Sequence, residues 1–99
     1  MLEGTIMNIN NKPLLSPDFL LHKNEEGNGY YLFNIVKGDA FQINEPSYDF
    51  LALCNGQRDL REIFCQLKEI YSIDIDTLQN DFEKIIEQWV TLNAIILGE

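Results

Sequence analysis

The first half of the chain sets runs of aromatic and branched residues between polar turn segments. Residues 19–23 and 30–35 are two such runs, and the polar segment 24–29 between them contains two glycines. A second turn at residues 36–38 leads into a third run at residues 39–43. This pattern predicts a three-stranded antiparallel meander, and no later strand is obliged to pair with the outer edge of its last strand.

Two short helices are predicted after the strands. Asn44 is a suitable N-cap and Pro46 suits a first helical turn, so residues 46–54 are expected to form a helix that Gly56 ends. Asp59 is placed to cap the second helix, because apolar residues recur after it at steps of three and four until a break at residues 72–73.

A third helix is predicted from Asp74 or Asp76 to about Asn93. Its apolar positions are Ile75, Leu78, Phe82, Ile85, Ile86, Trp89, Val90 and Leu92. At about 100° per residue they cover an arc of roughly 160°, wider than the roughly 100° that one core face requires. One margin of this helix is therefore a candidate for contact with a ligand.

The two ends of the chain are less regular. Residues 1–12 have no sustained period, so we expect a mobile or weakly paired arm that precedes one domain over residues 13–99. Residues 95–97 form a short apolar segment with two open alternatives. The segment either packs against the helices or adds a small strand.

Composition and length restrict the class of protein. The chain has 99 residues and is 45% apolar, which is enough for one core and leaves little room for a separate deep catalytic cleft. No apolar run approaches the roughly eighteen residues of a membrane span, and the first residues lack the order of a signal peptide. We therefore expect a cytoplasmic protein that does not enter a membrane.

The chain is strongly acidic, with 16 acidic and 7 basic residues and a net charge of −9. Such a field repels phosphate backbones and anionic lipids, so nucleic acid and membrane surfaces are not expected partners. Asp76, Glu83 and Glu87 fall on one stripe of the third helix. Either this stripe is a solvated flank or, if it borders a binding groove, it favours Lys or Arg in the ligand.

The chain shows no assembled catalytic or metal-binding set. His22 is the only histidine and has no ligand-type neighbour at metal spacing, so we expect a surface or strand-face histidine. Cys54 and Cys65 both fall in apolar helical patterns, where buried, reduced thiols are expected. The glycines stand singly in turns and form no phosphate-binding loop. We predict neither a cofactor nor an enzyme activity.

An ordered set of short segments runs along most of the chain and resembles the PqqD-like proteins. The segments are Pro13-Leu14-Leu15-Ser16-Pro17, Ala40-Phe41-Gln42-Ile43-Asn44-Glu45, Leu53-Cys54-Asn55-Gly56 and Leu60-Arg61-Glu62-Ile63, together with Tyr71, Asp81 and Leu92. These proteins are the peptide-recognition elements of ribosomal peptide natural-product pathways. The match departs from the family pattern at Asn55, where an acidic residue usually precedes the glycine.

The resemblance implies an α+β, winged-helix-like fold with a three-stranded antiparallel sheet followed by three helices. It also implies a protein without chemistry of its own that binds the leader segment of a precursor peptide. The partner would be a separate maturation enzyme, either a radical SAM protein, a cyclase or a leader peptidase. The implied peptide-binding residues are Asp39, Ala40, Phe41, Gln42, Ile43, Leu78, Phe82, Ile85, Ile86 and Trp89.

Two other classes of function are weighed against peptide recognition. A winged-helix DNA-binding regulator needs a basic recognition helix, whereas the third helix carries five acids and one lysine. A small enzyme needs a nucleophile, base or metal set that the sequence does not assemble. Whether the protein dimerises through its open strand edge is left undecided.

Overall fold

A computed structural model describes residues 10–24, 26 and 29–98. The elements follow the order β1 (Lys12–Leu15), β2 (Phe19–Lys23), β3 (Tyr30–Asn34), β4 (Asp39–Ile43), α1 (Glu45–Ala52), α2 (Leu60–Tyr71), α3 (Ile75–Thr91) and β5 (Ile95–Gly98). The prediction of an α+β chain in which three helices follow an antiparallel three-stranded sheet is confirmed. Residues 1–9 of the expected N-terminal arm lie outside the described residues, and Lys12 already belongs to β1.

The three-stranded sheet has the strand order β2-β3-β4, with both pairs antiparallel. Leu21, Leu32 and Phe41 stand opposite one another across the three strands. The turn into β4 is closed by Asn34, whose side-chain oxygen accepts hydrogen bonds from two backbone N–H groups at 3.0 Å. Gly38 has φ +80°, which favours glycine. Local turn chemistry therefore fixes the register that places Phe41 and Ile43 on the helix side of the sheet.

A second, two-stranded sheet joins the ends of the described chain, because β1 pairs antiparallel with β5. The alternative in which residues 95–97 add a small strand is thus confirmed, whereas a strand at β1 was not predicted. Main-chain bonds also tie β1 to the connection between α1 and α2. Leu15 N–H donates to Cys54 O and Gly56 N–H donates to Pro13 O, both at 2.9 Å. The short β1 therefore connects the start of the described chain with β5 and with the segment between α1 and α2.

The helix ends follow the predicted caps closely. The Asn44 side chain accepts from Ser47 N–H at 2.9 Å, and the Asp59 side chain accepts from Glu62 N–H at the same distance. Ser72 takes the left-handed conformation that ends α2, so the predicted break is confirmed. The first helix ends at Ala52, two residues before the predicted end, and Leu53 is its C-cap. Gly56 lies beyond this end, with φ +79° at the bridge to β1.

The core lies between the sheet and the helices and is built around Phe50 of α1. Its ring stacks on Phe82 at 5.0 Å, on Trp89 at 5.9 Å and on Phe64 at 6.1 Å between ring centroids. All four side chains are at most 7% exposed. These rings belong to all three helices, so aromatic packing fixes the helices relative to one another.

A polar contact on one side of this core joins α1 to α2. The Tyr71 hydroxyl donates a hydrogen bond to the Asp49 carboxylate. Burial, and then this hydrogen bond, raise the pKa of Tyr71, which keeps the hydroxyl protonated as a donor. The contact therefore holds the middle of α1 against the C-terminal end of α2.

The expectation that both cysteines are buried is half wrong. Cys54 is buried, its thiol lies 3.2 Å from Phe50 O, and burial raises its pKa to about 12. Cys65 is exposed. At about 100° per residue, Cys65 lies roughly 140° from Leu60, whereas the buried positions of α2 cluster around Leu60. The thiol of Cys54 is thus held in its neutral form, which disfavours reactivity.

Within the described residues, no helix is long and apolar enough to cross a membrane.

We expect Tyr71→Phe to lower the free energy of unfolding by about 1 kcal/mol, because the variant loses one hydrogen bond to a carboxylate at a half-buried position. Urea unfolding measures this change. Tyr31→Phe is the matched control, since the Tyr31 hydroxyl makes no hydrogen bond among the described residues. Equal losses in the two variants would contradict a tie between α1 and α2.

Candidate functional site

A groove of about 320 Å³ runs between strand β4 and helix α3. Its floor and walls come from β3, β4, the start of α1 and the C-terminal half of α3. The lining residues are Leu32, Phe41, Gln42, Ile43, Asn44, Ser47, Ile85, Gln88, Trp89 and Leu92. The volume falls at the lower end of the range for ligand pockets and suits two or three amino-acid side chains rather than a large cofactor.

The strand that borders the groove has a free edge. β4 is the outer strand of its sheet and pairs only with β3 among the described residues. Phe41 and Ile43 pack partly against the core, whereas Ala40 and Gln42 are exposed. Unpaired N–H and C=O groups of such an edge are a template for an added strand. The edge and the apolar groove therefore lie side by side.

Helix α3 divides its wide apolar arc between the core and this groove. Leu78, Phe82 and Ile86 are at most 4% exposed and belong to the core. Ile85 is half-buried, and Leu92, one residue past the helix, is 45% exposed. By the helical period of about 100° per residue, Ile85 and Leu92 lie within roughly 20° of each other on one margin of the helix. This margin of the helix therefore faces the groove rather than the centre of the core.

Five of the ten predicted site residues meet in the groove, namely Phe41, Gln42, Ile43, Ile85 and Trp89. Asp39 and Ala40 belong to the same strand and do not line the groove. Leu78, Phe82 and Ile86 lie in the core instead, because the arc of α3 that packs on α1 and α2 is centred on them. That these three residues contact a peptide stays a prediction. Their burial in the core does not favour it.

Sequence reasoning missed Leu32, Asn44, Ser47, Gln88 and Leu92 as groove residues. Leu92 was available from the pattern, because it continues the same margin of α3 as Ile85. Ser47 and Gln88 are polar residues of helices and carry no signal in the hydrophobic pattern. Only the docking of α1 against β4 and α3 brings them to the groove.

The acidic stripe of α3 lies on the other margin of the helix. Asp76, Glu83 and Glu87 are separated from Ile85 by roughly 160–200° of helical rotation. None of the three lines the groove, but Glu87 borders an adjoining concave surface that shares Gln88 and Leu92 with the groove. The placement of Asp76 and Glu83 favours the solvated flank, whereas for Glu87 the preference for a basic ligand stays a prediction.

The groove offers hydrogen bonds and apolar contacts rather than reactive groups. Among the described residues there is no group of three His, Cys, Asp or Glu side chains that could hold a metal ion. His22 is exposed and lies on the outer face of the sheet, where its ring is 6.4 Å from Tyr31 and 6.0 Å from Phe33 between centroids. The prediction of a strand-face histidine is confirmed.

Comparison with known proteins gives one family match. Residues 29–95 match the family model described as "Coenzyme PQQ synthesis protein D (PqqD)". The match includes the whole groove, from Leu32 to Leu92. No curated protein and no solved structure matches the chain.

We expect Ile86→Ala to lower the free energy of unfolding by about 2–5 kcal/mol, because Ile86 is fully buried, and Ile85→Ala to lower it by only about 1 kcal/mol. The two variants make the same chemical change at neighbouring positions, so each serves as the control for the other. Urea unfolding measures both. A similar large loss for Ile85→Ala would show that Ile85 is a core residue and would remove it from the groove.

Proposed function

Because the chain belongs to the PqqD family, we propose that it binds the leader segment of a ribosomally made precursor peptide and presents it to a separate maturation enzyme. The family consists of non-catalytic accessory proteins, and PqqD itself binds a precursor peptide and works with a radical SAM enzyme in PQQ synthesis. For this chain the enzyme is a radical SAM protein, a cyclase or a leader peptidase. Binding takes place in the cytoplasm, where the precursor is made.

One observation of the fold carries this proposal: the free edge of β4 lies directly beside an apolar groove. The leader adds to β4 as an antiparallel strand, and its alternate side chains enter the groove. Strand addition satisfies the main-chain groups of both partners at once. The groove then receives every second side chain, because side chains of a strand alternate between its two faces.

The expected energies divide this binding between backbone and side chains. Three or four main-chain hydrogen bonds contribute about 0.5–1.5 kcal/mol each, which an association cost of at least about 4 kcal/mol can cancel. Two or three leader side chains buried in the groove add about 1.5–3 kcal/mol each. Backbone pairing therefore sets the register and direction, and the side chains set affinity.

The apolar contacts come from both walls of the groove. Phe41 and Ile43 project from β4, and Ile85 and Leu92 face them from α3 and its C-terminal end. Trp89 closes the floor while it stacks on Phe50. Ile85, Trp89 and Leu92 therefore form the helix side of the proposed site. They take the place of Leu78, Phe82 and Ile86, which lie in the core.

DNA recognition is not favoured by the described residues. Helix α3 is the helix that would enter a groove of DNA, and it presents Asp76, Glu83 and Glu87 on one flank. A positively charged helix is what phosphate backbones require. The winged-helix likeness of the fold stays a prediction.

We expect the amides of β4 at the free edge to gain protection from hydrogen exchange when a leader peptide binds, because the added strand supplies their hydrogen-bond acceptors. The peptide is the N-terminal part of the precursor, whose short reading frame is to be sought beside the gene for this chain. Exchange followed by NMR resolves single amides. Strand β2 is the internal control, since it is the other edge of the same sheet and has no part in the groove.

Protection in β2 alone would move the binding site to the opposite edge. No added protection anywhere in Asp39–Ile43 with saturating peptide would refute strand addition to β4.

We expect Leu92→Ala to weaken leader binding about fivefold, because Leu92 is 45% exposed in the free protein and the ligand covers it. Leu20→Ala is the matched control, since Leu20 is 55% exposed and belongs to β2, outside the groove. Calorimetric titration gives both affinities. An equal loss in the two variants would mean that the groove does not hold the peptide.

A further inference from the structure

The side of the three-stranded sheet that faces away from the helices is apolar and open to solvent. Side chains of a strand alternate between its two faces, and Leu21, Leu32 and Phe41 pack toward the core. The residues between them in each strand therefore point the other way. They form two cross-strand rows, which we call the outer face: Leu20, Phe33 and Ala40 in one row, and His22, Tyr31 and Gln42 in the other. Four of the six residues are exposed, among them Leu20 at 55%.

The composition of the outer face differs from that of an ordinary solvated sheet. An antiparallel sheet with one face on a core normally carries polar side chains on the other face. Here the rings of Tyr31 and Phe33 stack at 6.1 Å between centroids, and the ring of His22 lies 6.4 Å and 6.0 Å from them. The chain has 16 acidic residues, and none of them belongs to the outer face. Aromatic residues are enriched and charged residues depleted at the centre of protein interfaces, so this composition favours a docking surface.

Charge and size favour a different protein over a second copy as the occupant of this face. Two copies each carry a net charge of −9, so they repel each other. At about 3.3 Å per residue and about 4.8 Å between strands, the face measures about 17 by 14 Å, or roughly 240 Å². A stable interface buries about 800 Å² on each partner. The outer face therefore suits one part of a larger contact, with a partner that offers an apolar centre and a basic rim.

The proposed leader strand would enlarge the outer face. A strand added to β4 places every second side chain in the groove and the others on the outer face. Ala40 and Gln42 are the outward residues of β4, although Gln42, on this edge strand, also borders the groove. Both are exposed, so the outward side chains of the leader lie beside them and stay accessible. The loaded protein thus presents a four-stranded face, whereas the free protein presents three strands.

We propose that the outer face docks the maturation enzyme and that the outward side chains of the bound leader complete this docking surface. The part that concerns the leader rests on the proposed strand addition to β4. The enzyme contacts protein and peptide on one continuous face, so it binds the loaded protein in preference to the free one. Presentation then has a physical basis, because the leader occupies the sheet edge and the face beside it recruits the enzyme.

The first test measures docking with three purified probes, namely the radical SAM protein, the cyclase and the leader peptidase encoded nearest to the gene for this chain. Each is titrated calorimetrically against the loaded protein. We expect Leu20→Glu to weaken enzyme binding at least about tenfold, because the new carboxylate loses water in an apolar contact. Ile70→Glu is the matched control, since Ile70 is 60% exposed on α2 and the variant adds the same charge. Both variants should keep the melting temperature and the leader affinity, because neither residue is buried or lines the groove.

The second test asks whether the leader takes part in docking. We expect saturating leader peptide to strengthen enzyme binding about three- to tenfold. Single Glu substitutions along the leader segment that protects the β4 amides should then fall into two alternating classes. Those at groove positions weaken binding to this chain. Those at the intervening positions leave that binding unchanged and weaken binding of the enzyme to the complex.

The other outcomes overturn separate parts of the proposal. If none of the three enzymes binds the loaded protein, or if Leu20→Glu and Ile70→Glu weaken binding equally, the outer face is not the docking surface. Strand addition still stands in that case, provided that the β4 amides gain protection. Equal enzyme affinity for free and loaded protein, or a Glu scan without alternation, removes the leader from the docking surface.

Two further results would also count against it. If sedimentation shows a dimer that Leu20→Glu converts to monomers, the outer face is an interface between copies and the enzyme docks elsewhere. If saturating leader leaves the β4 amides unprotected, strand addition itself fails, and the leader's part in docking fails with it.

Discussion

The packing of Trp89 against Phe50 is the contact on which the rest of the site depends. Phe50 stands at the centre of the core, where rings from α2 and α3 stack on it, and Trp89 is the one of these rings that also lines the groove. The distance between α1 and α3 is therefore set by rigid aromatic surfaces rather than by flexible side chains. Because α1 begins directly after β4, the same packing sets the width of the groove.

Among the residues that the structure describes, the division of the strands between two sheets leaves the β4 edge open. β5 comes last in the order of elements and pairs with β1, so it does not extend the three-stranded sheet. Main-chain bonds from Leu15 to Cys54 and from Ser16, directly after β1, to Ala94 tie this second sheet to the helices. An open edge in a small acidic protein is a hazard for self-association, which net charge counteracts. The acids of α3 on the margin away from the groove fit this role.

Most of the elements were predictable from local sequence, and the site only in part. Strands β2, β3 and β4 and the caps Asn44 and Asp59 follow from turn chemistry and periodicity, which act over a few residues. Strand β1 has no such signal, because it forms through pairing with a segment at the other end of the chain. The helical period places Cys65 outside the buried arc and could have corrected that expectation. Ser47 could not have been found, since its burial depends on how three elements dock.

Recognition at this groove must combine a general and a selective component. Pairing along β4 involves main-chain groups that every peptide carries, and a groove of about 320 Å³ has room for few side chains. Apolar walls distinguish side chains of similar size by only about 1–3 kcal/mol. Under the proposed strand addition, backbone pairing therefore supplies binding without sequence preference, and the few side chains that the groove admits supply the selectivity.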